Sequence, residues 1–181
     1  FTPSASWTID LAGWKYDQDL DGNSRALDSG QGTSSDPIAQ GYEQFSASAA
    51  YDMEWGTLSY AFGRNDLDNQ VVGAIPGLGQ LDANIGISVS THELLLNAVQ
   101  GAWAYTAGLY WRDADRNDGV QLLGGPLPLD VASNYRSKSN AVFAEADYSF
   151  AERRHLAVGL CRYQEDLDVA EVGFGFTGPI D

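Results

Sequence analysis

The sequence predicts an all-β fold, an antiparallel up-and-down meander of about seven strands, and three observations support this prediction. Apolar residues alternate with polar or small residues at a period of two through most of the chain. Short turns alternate with long polar connections between these segments. Aromatic residues, 12% of the chain, gather close to both kinds of connection.

The strands are marked most clearly in the second half of the chain. Residues 103–111 place Trp, Tyr, Ala, Leu and Trp on one face, opposite mostly small or polar residues. The same alternation is present at residues 140–150 and 156–161, and weaker alternation marks residues 7–11, 45–51, 58–62 and 85–96. In the last of these segments the apolar positions change parity near Thr91, which predicts a β-bulge.

The connections distinguish two kinds of β fold. We expect short turns at residues 51–55, 97–102 and 151–154, and long polar connections at residues 17–41, 64–84 and 113–138. Transmembrane barrels alternate in this way because their turns are short on one side of the membrane and their loops are long on the other. A soluble acidic β-sandwich, the alternative, has the same period of two but no reason for such regular connections. The connections therefore favour antiparallel strands of a transmembrane β-barrel.

The aromatic residues occupy two levels, as the aromatic girdles of a barrel do at the two membrane surfaces. Those near the short turns are Tyr51, Trp55, Trp103, Tyr148 and Phe150, and those near the long connections are Tyr16, Tyr60, Phe62, Tyr110, Trp111 and Tyr163. From Trp103 to Trp111 a tilted strand covers roughly 20 Å along the barrel axis, close to the height of the apolar band in such barrels.

The number of strands indicates that the predicted barrel is larger than this chain. About seven strands cannot close a bacterial barrel, which has an even number, and an open edge in lipid leaves backbone groups without hydrogen bonds. We therefore expect part of a larger barrel, located in the outer membrane of a bacterial cell.

The composition excludes other kinds of protein. The net charge of −15 argues against nucleic-acid binding, and the single Cys161 excludes an internal disulfide. No run approaches the ~18 apolar residues of a membrane helix.

Four consecutive segments resemble strands of the TonB-dependent outer-membrane receptors. Residues 135–148, YRSKSNAVFAEADY, resemble the kS-x-AvF-x-e-x-x-Y strand of that family, and residues 156–166, LAVGLCRYQED, resemble the G-L-R-Y strand that follows it. Residues 90–96, STHELLL, resemble the qElRL strand, and residues 103–113, WAYTAGLYWRD, resemble its partner. The sequence departs from the family at Leu95, where a basic residue is usual. It also departs at Cys161, which is either an insertion or a replacement of the arginine.

The resemblance implies that residues 1–181 are strands from the middle of a 22-stranded barrel, whose plug domain and terminal strands lie outside this sequence. It implies uptake of a scarce nutrient, such as a ferric siderophore, cobalamin or an oligosaccharide, with energy supplied through the TonB protein. Outer-membrane lipid and lipopolysaccharide are the expected surroundings. A passive porin or an autotransporter-type barrel shares the alternation and the short turns, and it stays open as an alternative.

An acidic segment has the spacing of a calcium-binding loop. Asp17, Asp19, Asp21 and Asp28 stand at loop positions 1, 3, 5 and 12, and Gly22 stands at position 6, where such loops turn sharply. The predicted flanking segments are strands and not helices, so this is not an EF-hand. The alternative is a solvated acidic loop, whose residue types favour turns.

The sequence offers little support for catalysis. His92 has no identifiable orienting acid, and His155 is expected in a turn. We therefore expect that the protein is not an enzyme and that calcium is its one candidate ion. Glu145 and Asp147 alternate with alanine and tyrosine residues, and we expect both acids to face the barrel interior, because a charge toward lipid is costly.

Overall fold

The computed structural model describes residues 6–20, 38–75, 79–123, 129–151, 154–173 and 176–177, which belong to a single β-sheet and its turns. The strands are β1 (Trp7–Leu20), β2 (Ile38–Met53), β3 (Gly56–Ile75), β4 (Gly79–Gln100), β5 (Trp103–Leu123), β6 (Leu129–Ala151), β7 (Arg154–Gly173) and β8 (Phe176–Thr177). They lie in chain order, and each pairs antiparallel with the next. The predicted all-β antiparallel meander is confirmed, with seven long strands and a two-residue β8 at the edge.

The strands are longer than the sequence pattern indicates, so the predicted long connections are wrong at the residues that the structure describes within them. Strand pairing in the segment 64–84 continues as far as Ile75 and Gly79. The segments 17–41 and 113–138 likewise contain the paired ends of β1, β2, β5 and β6. The apolar alternation does not reveal these ends because they carry mostly polar side chains, and the hydrogen bonds of a sheet do not require apolar ones.

The bulge predicted near Thr91 is also wrong. Thr91 pairs with Gly63 of β3 and with Arg112 of β5, and the register on both sides of β4 is continuous. Within the described pairing the register shifts between Ser149 and Ala151, at the end of β6. The apolar residues before and after Thr91 therefore lie on opposite faces of one regular strand.

Two of the three predicted short turns fall within the described residues, and each contains two residues. Glu54 and Trp55 join β2 to β3, and Gly101 and Ala102 join β4 to β5. Gly101 has a φ of 61°. Glycine adopts this left-handed conformation at little cost, and a type II′ hairpin turn requires it at the first position. The third predicted turn, at residues 151–154, lies partly outside the described residues.

The register defines the two faces of the sheet. Residues paired across neighbouring strands lie on the same face, and successive residues of one strand alternate between faces. Trp103 therefore shares a face with its partner Tyr148 and with Leu156, which pairs with Tyr148 in turn. We call this side the Trp103 face, and the opposite side, which carries Thr106, the Thr106 face.

The sheet has no hydrophobic core among its described residues. The buried apolar side chains there are those of Ala98 and Ala114, each 9% exposed. A single sheet gains little stability without a second layer or an apolar medium against one of its faces. The surroundings of the sheet therefore have to supply most of its apolar contact.

Candidate functional site

An apolar band crosses the Trp103 face next to the short turns. Its members are Trp7, Ile9, Leu11, Phe45, Ala47, Ala49, Tyr51, Leu58, Tyr60, Phe62, Leu94, Leu96, Ala98, Trp103, Tyr105, Ala107, Leu109, Trp111, Val142, Ala144, Ala146, Tyr148, Leu156, Val158 and Leu160. Many of the large side chains are exposed, Leu11 by 70% and Leu160 by 80%. An apolar surface of this extent is typical of a membrane or protein contact and not of a surface in water.

Paired aromatic rings mark the end of the apolar band at the short turns. Trp7 packs on Tyr51 with ring centroids 4.8 Å apart, and Trp103 packs on Tyr148 at 4.5 Å. Both pairs join neighbouring strands in register. The rings therefore form a rim along the sheet at the level predicted for one aromatic girdle.

A second aromatic cluster lies at the opposite end of the apolar band. Phe62, His92 and Trp111 are neighbours in register, and the His92 ring lies 4.9 Å from each of the other two rings, stacked on Trp111. The Nδ1 atom of His92 lies 2.7 Å from the hydroxyl oxygen of Tyr60. His92 is thus part of an aromatic cluster, and its described contacts include no carboxylate.

Of the residues predicted for the second girdle, Tyr60, Phe62 and Trp111 share the Trp103 face with the apolar band, and for them the girdle stays a prediction. Tyr16, Tyr110 and Tyr163 lie on the Thr106 face, so they do not belong to the same ring of side chains. Position along the chain shows how far a residue is from a turn, but only the register with the next strand shows its face.

Behind the apolar band, the Thr106 face carries mainly acidic, hydroxyl and small side chains, with larger apolar exceptions such as Leu95 and Phe143. Its five carboxylates are those of Asp10, Asp52, Glu93, Glu145 and Asp147. The prediction that Glu145 and Asp147 lie opposite the apolar residues of β6 is confirmed, and their position at a barrel interior stays a prediction. One side of the sheet is thus suited to an apolar medium and the other to water.

Farther from the short turns than the apolar band, the apolar residues of the strands lie on the Thr106 face. In β4, Leu94 and Leu96 belong to the band, whereas Ile85, Ile87 and Val89 lie on the opposite face. Other strands do the same, through Trp14 in β1, Tyr42 in β2, Leu67 in β3, Val131 in β6 and Leu167 in β7. The parity change near Thr91 is therefore a change of environment along the strand, not a bulge.

Charged side chains cover the Trp103 face beyond the apolar band. The ion pairs there are Lys15–Glu43, Lys15–Asp17, Arg64–Asp66, Arg136–Asp113, Arg136–Asp115 and Lys138–Asp113. The Arg64 guanidinium, 2.7 Å from Asp66, holds the pKa of that carboxyl below its usual range, with a smaller contribution from Ser88. The basic side chains of these pairs are more than half exposed, so each pair adds only ~0–1 kcal/mol to stability. Their placement indicates that this part of the Trp103 face meets water.

The candidate calcium ligands lie only partly within the described residues. Asp17 and Asp19 are in β1, paired with Gly41 and Ala39, and their side chains are on the Trp103 face. Asp21 and Asp28 lie outside the described residues. The described part of the chain contains no group of three or more His, Cys, Asp or Glu side chains close enough to hold a metal. The calcium loop therefore stays a prediction.

An uncharged patch on the Thr106 face escaped the sequence analysis. We call it the Trp14 patch, and its twelve residues form three register rows across four strands: Trp14, Gln44, Asn65 and Val89; Tyr16, Tyr42, Leu67 and Ile87; Gln18, Gln40, Asn69 and Ile85. The patch becomes visible only when the register between four strands is known, because its residues come from separate parts of the sequence. On the β5 side the patch ends at the ion pair of Arg116 and Asp118, which are 2.9 Å apart.

The four segments that resemble TonB-dependent receptors are in four consecutive strands, β4 to β7. Cys161 pairs with Phe143 in a continuous register, so it is not a bulged insertion, and it lies on the Thr106 face. Comparison with protein families, curated proteins and solved structures gives no match to this chain. Within the described residues, no helix is long and apolar enough to cross a membrane.

Proposed function

We propose that the chain is a segment of a bacterial outer-membrane β-barrel of the TonB-dependent receptor class, which captures a scarce nutrient outside the cell and takes it up. The observation that carries the proposal is the apolar band, which continues across seven strands of a sheet without a core in its described part. Lipid against this band would supply the apolar contact that the sheet lacks, while the hydrogen bonds between strands satisfy the backbone.

The strand lengths support a sheet that extends beyond a bilayer. β6 has 23 residues, roughly 70 Å of strand at ~3.3 Å per residue. A strand tilted by ~40° needs only about 40 Å to cross the ~30 Å apolar core of a bilayer. The remaining length is the part that carries ion pairs on the Trp103 face, as expected where a strand has left the lipid.

The open edges support a barrel that is larger than this chain. In the described sheet β1 pairs with β2, and β7 pairs with β6 and with the short β8. Unpaired strand edges are unstable in lipid, so further strands would have to pair with both edges. The receptor class rests on the four family-like segments, which occupy β4 to β7 in the order that the resemblance requires.

Two other functions remain as alternatives. A passive porin or an autotransporter-type barrel would have the same apolar band, and nothing in the sheet favours either of them. A soluble acidic β-sandwich is disfavoured by the change of the apolar face along each strand. A sandwich buries one face along the whole strand, whereas here the two halves of the strands present opposite faces.

Uptake by the full-length protein tests the proposal. The protein would be produced in the outer membrane of a Gram-negative host with and without a functional TonB protein, and uptake of ferric chelates, cobalamin and oligosaccharides would be measured. We expect uptake of at least one of them, lost when TonB is removed. Uptake that continues without TonB would instead support a passive porin, and a chain found only in soluble fractions would support the sandwich.

A further inference from the structure

We propose that the Trp14 patch binds a neutral saccharide. This inference rests on the proposed function and names the class of nutrient that the receptor captures. The patch lies beyond the apolar band, on the face opposite the ion pairs of Lys15 and Arg64. In the proposed barrel this position is inside the mouth that opens to the outside of the cell.

The charge pattern favours a ligand without charge. None of the twelve residues of the Trp14 patch is charged, although the chain has a net charge of −15 and the other face of the same strands carries Lys15, Glu43 and Asp66. An anionic ferric chelate would need basic side chains as hydrogen-bond donors, and a cation would need carboxylates. The patch itself offers neither, and Arg116 at its β5 edge is already paired with Asp118, 2.9 Å away, so the recognised group is neutral.

Exposed aromatic rings provide the apolar part of the site. Trp14 is 56% exposed and Tyr16 is 38% exposed. Their rings are stacked with centroids 6.0 Å apart and an angle of 9° between the planes. The Tyr42 ring stands tilted beside Trp14, with centroids 5.2 Å apart. Two nearly parallel rings beside a tilted third form a surface on which the C–H faces of sugar rings can pack.

Amide side chains provide the polar part. The hydroxyl of Tyr42 lies 3.1 Å from Asn65 Oδ1 and 3.3 Å from Gln44 Oε1, so it can donate to either. Tyr16 donates to Oε1 of Gln18. These contacts use the carbonyl oxygens of the amides and turn their nitrogens away from the tyrosine hydroxyls. The amide nitrogens can then donate hydrogen bonds to the hydroxyl groups of a sugar. Ligand sites commonly combine an apolar surface with a few polar groups of this kind.

Calorimetry on the full-length protein in lipid nanodiscs tests the inference. The probes are maltohexaose, cellohexaose and xylohexaose, with ferric citrate as an anionic comparator. We expect at least one neutral oligosaccharide to bind, and ferric citrate not to bind. Trp14→Ala should raise the Kd of that oligosaccharide by about tenfold, equivalent to ~1.4 kcal/mol. The matched control is Trp111→Ala, which removes an exposed tryptophan from the Trp103 face and should leave the Kd unchanged.

A second variant covers the case in which Trp14→Ala does not assemble. Gln44→Leu removes an exposed amide from the Trp14 patch and should also weaken oligosaccharide binding. Binding that is insensitive to both variants, or no binding of any of the three oligosaccharides, would overturn the inference. If a different nutrient is then taken up in a TonB-dependent way, the proposed function survives and only the nutrient class is wrong. A protein that does not insert into nanodiscs would contradict both the inference and the proposed function.

Discussion

Leu109 and Thr106 lie three residues apart in β5 and face opposite sides of the sheet. Leu109 is 44% exposed within the apolar band. Thr106 donates a hydrogen bond to Oδ1 of Asn97 at 3.0 Å, on the face that carries carboxylates. The pair therefore offers a comparison within one strand, at positions ~10 Å apart along it, in which the face differs.

In the full-length protein, Leu109→Arg should lower the free energy of unfolding from lipid by ~2–4 kcal/mol, because arginine would face the middle of the bilayer. Thr106→Arg should be milder and close to the loss of one hydrogen bond, ~0.5–1.5 kcal/mol. Urea unfolding in lipid vesicles, followed by heat-modifiable migration on gels, measures both. Equal losses would mean that the two faces have the same environment and would contradict the assignment of the band to lipid.

Some side-chain contacts of the sheet form only between neighbouring strands. Gly108 of β5 pairs with Phe143 of β6 on the Thr106 face, and the Phe143 ring covers the glycine. A Cβ atom at Gly108 would lie 2.3 Å from Cζ of Phe143, which no real contact permits. The ring thus packs in the space that the missing side chain leaves, as aromatic residues do over glycines in designed sheets.

Gly108→Ala should destabilise the assembled protein by ~1–3 kcal/mol because the ring has to move. Gly159→Ala is the matched control, since its Cβ would meet the backbone oxygen of Ala144 at an ordinary 3.6 Å. In the background Phe143→Ala the effect of Gly108→Ala should largely disappear, and a double-mutant cycle of unfolding free energies measures this coupling. Additive effects of the two substitutions would show that the ring does not cause the cost.

The β4–β5 turn depends on the left-handed φ of Gly101. Gly101→Val should cost roughly 1–2 kcal/mol, because a β-branched residue is strained in that conformation, whereas Gly101→Asn should cost less. Space is not the reason, since nothing lies within 4 Å of a Cβ atom built there. The same unfolding assay separates the two variants, and a valine as harmless as the asparagine would refute the backbone explanation.

The sequence was sufficient to predict the elements within the apolar band and the hairpin turns between them. There one face is apolar and the other polar, so the alternation reveals both strand and face, as in residues 103–111. Beyond the band the pattern becomes mixed, and residues 64–84 and 113–138 resemble loops although they contain paired strand. Local composition does not predict these extensions because the hydrogen bonds to the next strand hold them.

The candidate sites were less predictable than the fold. The faces of Glu145 and Asp147 followed from β6 alone because each residue alternates with an apolar neighbour. The Trp14 patch needs β1 to β4 in register, so that three successive pairings connect Trp14 through Gln44 and Asn65 to Val89. A single sequence does not reveal such pairing, so its pattern groups Tyr16 with the aromatic girdle although the residue lies on the Thr106 face.

Across the whole sheet, the character of each face changes with distance from the short turns. Near the short turns, its Trp103 face is apolar and its Thr106 face is acidic. Farther from those turns, the Trp103 face is charged and the Thr106 face holds the Trp14 patch. In the proposed barrel, this division would place the short turns on the inner side of the membrane and the long ends of the strands outside.

Labelling with a membrane-impermeant maleimide tests the orientation. In a Cys161→Ser background, Gln121→Cys lies in the far end of β5 and should be labelled in intact cells. Ala102→Cys lies in the β4–β5 turn and should be labelled only after permeabilisation. Both positions are exposed in the described sheet, so access of the reagent depends on the side of the membrane. The reverse pattern would invert the orientation.

The accessibility of spin labels along β5 tests the central claim most directly. Single nitroxides would be placed at successive positions from residue 104 to residue 121 of the full-length Cys161→Ser protein in lipid vesicles. Relaxation by oxygen, which concentrates in lipid, would be compared with relaxation by a water-soluble nickel chelate. From residue 105 to residue 111 we predict oxygen access at odd positions and nickel access at even positions. Beyond Asp113 the odd positions should become accessible to nickel, because the Trp103 face has left the lipid there. Nickel access at Ala107 and Leu109 equal to that at Thr106 would contradict a lipid-facing band.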